Sequence, residues 1–457
     1  MSLKFPLNKT LTFQLLIVFV TGIFYSSFAY NLVRTDYAKL IILYFALFFL
    51  SVKLIQFNRN NTKALWRYSI LFRVIFIVSI PNLSQDFYRF IWDGRMLFEG
   101  FNPFLHTPDS FILNDEFPIA QAQDLYQGMG ALSASHFTNY PPVSQLCYFL
   151  AALFAKQSIL GAVVVMRLLI ICADIVTLYF GSKLLKHLKL PTYYIFWYIL
   201  NPFIIIELTG NLHFEGVMIC FLVISLYLLQ KLKWQWAAVT FSLAVATKLI
   251  PLIFLPLILK YLRLKKGLLF CAIVGIINIA LFLPFMSMEF ISNYTETVGL
   301  WFKNFEFNAS IFNIVKGIGY AFTGYNKIKL LGPIMAVLVI IYITILTYKA
   351  PLKHIKNLMV NMLLVITIYY FMSTTVHPWY ISLLVILAVF TNYKFPLIWS
   401  LVVIFSYLAY ANADNTENLW VIGLEYVFVY SAFIYEVVLK KQINFWGVSS
   451  SGIQPNN

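Results

Sequence analysis

The chain reads as a succession of apolar runs, most of them near the roughly 20 residues that a bilayer crossing requires. They cover 11–33, 38–57, 66–82, 160–182, 191–208, 213–231, 234–262, 267–286, 328–348, 357–376, 378–391, 396–412 and 419–438. The 234–262 run is too long for one crossing and is broken by Lys248 and Pro251, which predicts a tight hairpin of two short helices. That gives about 14 spans, or about 13 as the nearest alternative. Backbone in lipid must satisfy its own hydrogen bonds, so the spans are expected to be helices and the fold an all-α polytopic bundle forming one integral membrane domain over 1–457. Two stretches interrupt the pattern, 83–159 and 287–327. Loops of such length are usually functional or disordered. The first is rich in Phe, Tyr and Trp, so it is expected to pack as a cap on the membrane face. Within it, 142–156 has an apolar run of only about 12 residues, which suits an interfacial helix better than a crossing.

Composition narrows the class. Of 457 residues, 61% are hydrophobic and 11% charged, against about 25% charged in a soluble domain. This excludes an ordinary soluble enzyme, a disordered chain and a nucleic-acid-binding domain. The net charge of +15 could suggest a polyanion partner, but its distribution argues otherwise. With the N-terminus inside, most basic residues fall on the inner side, among them Arg59, Lys63, Arg67, Lys183, Lys186, Lys189, Lys260, Arg263, Lys265, Lys266, Lys349, Lys353 and Lys356. Most acids fall outside, including Asp86, Asp93, Glu99, Asp109, Glu215, Glu289 and Glu417. The basic excess is therefore an orientation signal and a contact with anionic lipid headgroups. It places both termini in the cytoplasm and the two long loops outside, in what is expected to be a bacterial inner membrane. A crossing at 142–156 would put Lys183, Lys186 and Lys189 outside and break this rule. No cleavable signal peptide is expected: the first apolar run is too long for one. Cys147, Cys172, Cys220 and Cys271 fit neither a zinc site nor a disulfide framework.

The densest chemistry lies in Ser84-Gln85-Asp86-Phe87-Tyr88-Arg89-Phe90-Ile91-Trp92-Asp93-Gly94. Ser84 can cap a helix whose first turn holds Asp86, and Asp86, Arg89 and Asp93 share one helical face. A carboxylate fixed at the membrane face is a candidate general base; the bland reading is a solvated charged turn. Gly94, Gly100 and Pro103 are expected to end or bend this helix. Tyr140-Pro141-Pro142 is a rigid entry to the interfacial helix. Arg167 and Asp174 lie two turns apart in one span and either pair through neighbours or leave Arg167 facing a lipid phosphate. His213 and Glu215 sit at an outer turn. Lys248, in an apolar setting, calls for an anion, with phosphate as the natural candidate and snorkelling as the alternative. His377-Pro378-Trp379-Tyr380 opens a span at the outer face; His377 can cap it or donate to a phosphate or sugar oxygen. In the second loop, Trp301-Phe302-Lys303-Asn304 and Phe307-Asn308-Ala309-Ser310 combine rings and amides that suit sugars.

Taken in order over 66–391, these segments resemble the GT-C superfamily of glycosyltransferases that use a polyprenyl-phosphate sugar donor. The likeness also uses Asn102-Pro103-Phe104, Asn201-Pro202 and Ala246-Thr247-Lys248. It points to the mannosyltransferase branch that includes the enzyme adding the first mannose to glycosylphosphatidylinositol. The resemblance implies a GT-C bundle, with Asp86 as catalytic base and Asp93 as the second acid of the loop. It implies Lys248 and His377 near the donor phosphate, with Arg167 as a further candidate there. Arg89, Asp93, Tyr140, His213, Glu215 and Asn308 are expected to bind substrate. The tight Asp-x-Asp spacing of some members is absent, so no metal ligands are assigned, although a divalent ion stays open. The implied reaction moves a hexose, mannose by branch, from the lipid donor to a lipid or glycan acceptor by inverting displacement; glucose and arabinose stay open. The rival readings are a lipid-linked sugar flippase, which should show internal repeats and mid-membrane sites, and a lipid-linked polysaccharide polymerase.

Overall fold

The computed structural model describes residues 9–303, 305–412 and 414–443, and side chains throughout these except at 9–11 and 301–303. Asn304 and the side chains of Trp301, Phe302 and Lys303 therefore lie outside the described part. Helices α1 (Lys9–Asn31) and α2 (Tyr37–Asn58) pack together, and α3 (Thr62–Ile75) lies against α1. Asp36 and Asn61 start α2 and α3 by accepting the N–H groups of Lys39 and Ala64. The chain then builds a cap from α4 (Asp86–Phe98), α5 (Pro108–Ile112), α6 (Ala122–Ala134) and α7 (Pro142–Ala155), before α8 (Ile159–His187) runs through the bundle. Two short pieces follow, α9 (Phe196–Ile199) and α10 (Pro202–Ile204), and the latter continues as a π-helical turn through Gly210. The path then bends by 115° into α11 (Glu215–Gln230). Helices α12 (Trp234–Thr247) and α13 (Leu255–Phe282) pack as a hairpin. Next come α14 (Met288–Lys303), α15 (Ile311–Thr323), α16 (Ile328–Lys349), α17 (Ile355–Met372), α18 (Ile381–Val389), α19 (Phe395–Val402) and α20 (Leu419–Phe433).

The fold is all-helical and the protein is an integral membrane protein. Among the described residues, seven helical stretches are long and apolar enough to cross a bilayer, and the bent pair 202–210 and 215–230 would make eight. Fewer continuous crossings appear than the apolar runs suggested, because several runs are built from pieces. The 191–208 run is divided among tight turns, α9 and α10, and the 378–391 run opens with a tight turn at Pro378. The 396–412 run is α19 followed by a 3₁₀ stretch, and the 66–82 run is helical only as far as Ile75. The expected break at Lys248 is real: Lys248 is extended, at φ −148° and ψ 136°. Helix α13 also turns back at Arg263, at φ 63° and ψ 161°. A Cβ on Gly267 would lie 2.5 Å from the Leu259 carbonyl oxygen. Eight residues on, a straight helix would have carried it about 12 Å away.

Buried charges fasten the bundle. Arg73 pairs with Asp174 at 2.7 Å and donates to the Ile199 carbonyl. Arg167 does not pair with Asp174. Its guanidinium donates to the carbonyls of Thr209, Ile77 and Gly210 at 2.8–2.9 Å, satisfying backbone that the broken helix leaves open.

The cap is held close to the bundle by small residues and ring contacts. Gly94 neither ends nor bends α4. It lies inside the helix, where an added Cβ would come within 2.2 Å of the Tyr148 carbonyl oxygen, so only glycine lets α4 meet α7. Gly100, at φ 85°, is the residue that turns the chain out of α4. The two long loops are stapled together. Asn102 donates to the Phe285 carbonyl and Asn293 to that of Phe104, while the Phe104 ring packs on Phe285, Phe290 and Tyr294.

Candidate active site

Asp86 stands at the first turn of α4, part-exposed, with its N–H donating to Ser84 Oγ at 3.3 Å. Burial pushes its carboxyl up to about 6; Lys248 pulls it back and Glu215 adds to the rise. Helix α7 packs along α4, and its Ser144 donates to the Thr247 carbonyl at 2.7 Å, one residue before Lys248. This contact fixes the end of α12. The Lys248 ammonium sits 3.0 Å from a Glu215 carboxylate oxygen and 5.0 Å from the centre of the Tyr140 ring. Glu215 begins α11, just past the bend. Two carboxylates and a cation thus come from three elements and lie close enough to act on one another, lining what we take as the candidate cleft.

The bend supplies the wall. Leu212 takes φ 64°, which is strained for leucine, and the turn is held by Leu83 N–H donating to Asn211 Oδ1 at 3.2 Å. It turns His213 onto the Trp379 indole, with centroids 3.7 Å apart and planes 16° from parallel. His377 also stacks on this indole, at 4.5 Å, and Phe307 stacks on His377 at 5.2 Å. Phe307 reaches this column because its backbone bonds to Thr374 and Val376, so the second loop contributes to the wall. Burial pushes the His377 imidazole down to about 3, and Lys248 adds to that. The ring is therefore neutral at ordinary pH. Below the column, Glu207 of the π turn accepts from Tyr407 at 2.8 Å and lies 3.7 Å from His213.

Sequence reasoning singled out Asp86, Tyr140, His213, Glu215, Lys248 and His377, and the structure brings them to this cleft and its wall. It places four others elsewhere. Arg89 and Asp93 pair at 2.8 Å, both buried. Arg89 donates to the Ser133 and His136 carbonyls, and Asp93 accepts from Thr138 and Gln145. Their charge is used to tie the α6–α7 connection to α4. Arg167 has its donors committed to backbone, as described. Asn308 is fully buried; its backbone N–H donates to Glu417 and its side-chain amide N–H to Glu425 at 3.1 Å, which ties it to the last helix. Trp379 and Glu207 were not assigned to the site, and Phe307 was offered as a ring for sugar and stacks instead on His377. An acid within an apolar run was the available signal for Glu207. Among the described residues no group of three His, Cys, Asp or Glu side chains converges in a way that could hold a metal ion.

The family comparison decides the class. The MptA_B family model, described as the N-terminal domain of alpha-(1->6)-mannopyranosyltransferases, matches residues 12–263, more than half of the chain. The chain belongs to the MptA_B family. The matched segment of this MptA_B member contains Asp86, Tyr140, His213, Glu215 and Lys248. No curated protein and no solved structure matches the chain. The protein is thus a membrane mannosyltransferase of the GT-C type, with a sugar donor and an acceptor as its substrates. This favours the transferase reading over the flippase. The match does not extend to the glycosylphosphatidylinositol branch, which rests on the ordered segments alone.

Proposed function

We propose that the enzyme moves mannose from a polyprenyl-phosphate donor to an acceptor hydroxyl on the extracytoplasmic face, forming an α-(1→6) bond by a single inverting displacement. The observation that carries this reading is the convergence of Asp86 and Lys248 in one cleft where the cap meets a broken helix. Asp86 takes the acceptor hydroxyl proton. The acceptor oxygen forms a bond to the anomeric carbon as the bond from that carbon to the phosphate oxygen breaks, its electron pair leaving with the phosphate. Inversion of a β-linked donor gives the α product that the family description names. The leaving phosphate is already a stable anion and needs a cation rather than an acid; Lys248 supplies the charge, and neutral His377 can donate a hydrogen bond. Tyr140 offers a ring surface for the sugar, and Trp379 holds His213 and His377 in place. Arg89, Asp93, Arg167 and Asn308 take framework roles in this scheme.

The sidedness draws support from contacts between basic turns. Lys260 donates to Thr347 and Tyr348 beside Lys349, Lys356 reaches Asn392, and Lys394 reaches Ile443. Basic segments distant in sequence thus gather together, as one cytoplasmic face would require.

The test is donor choice. Purified protein in vesicles is supplied with an alcohol-linked mannoside acceptor and either polyprenyl-phosphate mannose or a nucleotide-diphosphate mannose. Transfer from the lipid donor alone, giving an α-linked product, is the expected result. Transfer from the nucleotide donor would overturn the proposal.

A further inference from the structure

We infer that Glu215 is a positioning residue that occupies the donor-phosphate place on Lys248 until the donor arrives, and then reinforces Asp86 as the base. This rests on the donor reading above. The Glu215 carboxylate holds Lys248 at 3.0 Å. The partners are unequal: the Lys248 side chain is 21% exposed and Glu215 only 5%. The cation is therefore the more accessible partner and the carboxylate the more enclosed one. Glu215 uses one oxygen for Lys248, and its Oε2 is buried with no hydrogen-bond partner. A carboxylate this poorly satisfied is a weak competitor for a phosphate, which can surround the ammonium with more than one oxygen.

Exchange has an electrostatic consequence. Asp86 faces Lys248 and Glu215, with the tyrosines 140, 380 and 410 as its other titratable neighbours. While Glu215 and Lys248 are paired, their effects on Asp86 oppose one another. Once phosphate takes Lys248, the released carboxylate acts on Asp86 uncompensated and strengthens its hold on a proton. The base thus reaches full strength only with donor seated. One pair couples donor binding to proton abstraction, and wasteful activation without donor is suppressed.

Glu215→Gln tests this because it keeps the shape and removes the competing charge. Donor KM and the inhibition constant of a short-chain prenyl monophosphate should both fall, by roughly tenfold for loss of one close competing charge. At the same time kcat should fall, and the acid limb of kcat/KM should move to lower pH, since Asp86 then faces an unpaired ammonium. Glu215→Asp should restore part of kcat. A purely structural Glu215 would raise KM or lower protein yield without moving the limb. The inference is overturned if Glu215→Gln weakens prenyl monophosphate binding or leaves the pH profile where it was. Failure of the donor reading shows separately, as wild-type protein that does not use the lipid donor at all.

Discussion

At the scale of single residues, this protein depends on where it leaves charge uncompensated. Several buried charges have close partners: Arg73 with Asp174, Arg89 with Asp93, Arg167 with three carbonyls. Asp86 differs, being part-exposed and poised near neutrality by burial. A base must be ionised to accept a proton, so kcat/KM should fall as pH drops through about 6, rather than near the usual Asp value of about 3.9. A pH–rate profile measured with subsaturating donor checks this. The framework pairs behave otherwise. Arg73→Met strands the Asp174 carboxylate in apolar surroundings and should cost about 3–5 kcal/mol, while Arg73→Met with Asp174→Leu should recover most of that. Thermal unfolding of the purified protein in detergent distinguishes the two variants.

Elements bring these residues together through close approach and through broken helices. Helix α4 reaches α7 only because Gly94 has no Cβ to meet the Tyr148 carbonyl. Gly94→Ala should therefore destabilise the cap by about 1–3 kcal/mol and lower kcat, since α7 also carries the contact that sets Lys248; calorimetry and initial rates report the two effects. Local sequence made much of this legible. The 84–94 stretch announced a helix with Asp86 at its head, although its N-cap is Gln85 with no side-chain cap and not Ser84; 142–156 was too short to cross, and Lys248 with Pro251 broke a long apolar run. What it could not convey was pairing at a distance. Asp174 finds Arg73 rather than Arg167, and Asn308 finds Glu425, across 101 and 117 residues of chain. Periodicity places a residue on a face but does not name the neighbour. Gly94 was misjudged for the same reason: glycine inside a helix reads as a break unless the backbone crossing it is known. Runs such as 191–208 read as single crossings because hydropathy senses apolar runs but not the turns inside them, as in the 205–210 π turn.

For the whole molecule, the cap formed by α4 to α7 and the second loop are bound to each other through Asn102, Phe104 and Asn293, so they are expected to move as one unit over the cleft. The proposed orientation puts that unit outside. Single cysteines introduced at Asn114 and at Lys265 in a cysteine-free background should behave oppositely in intact cells. A membrane-impermeant thiol reagent should label position 114 and should reach position 265 only after permeabilisation. Labelling of 265 in intact cells would reverse the assignment and place the cleft on the cytoplasmic side.

The most direct measurement of the central claim is mannosyl transfer from polyprenyl-phosphate mannose by wild-type and Asp86→Asn protein at equal abundance in membranes. The account predicts that the variant still binds prenyl monophosphate but loses about 10²- to 10⁴-fold in kcat, the range of a lost general base. Near-normal turnover by Asp86→Asn would contradict it.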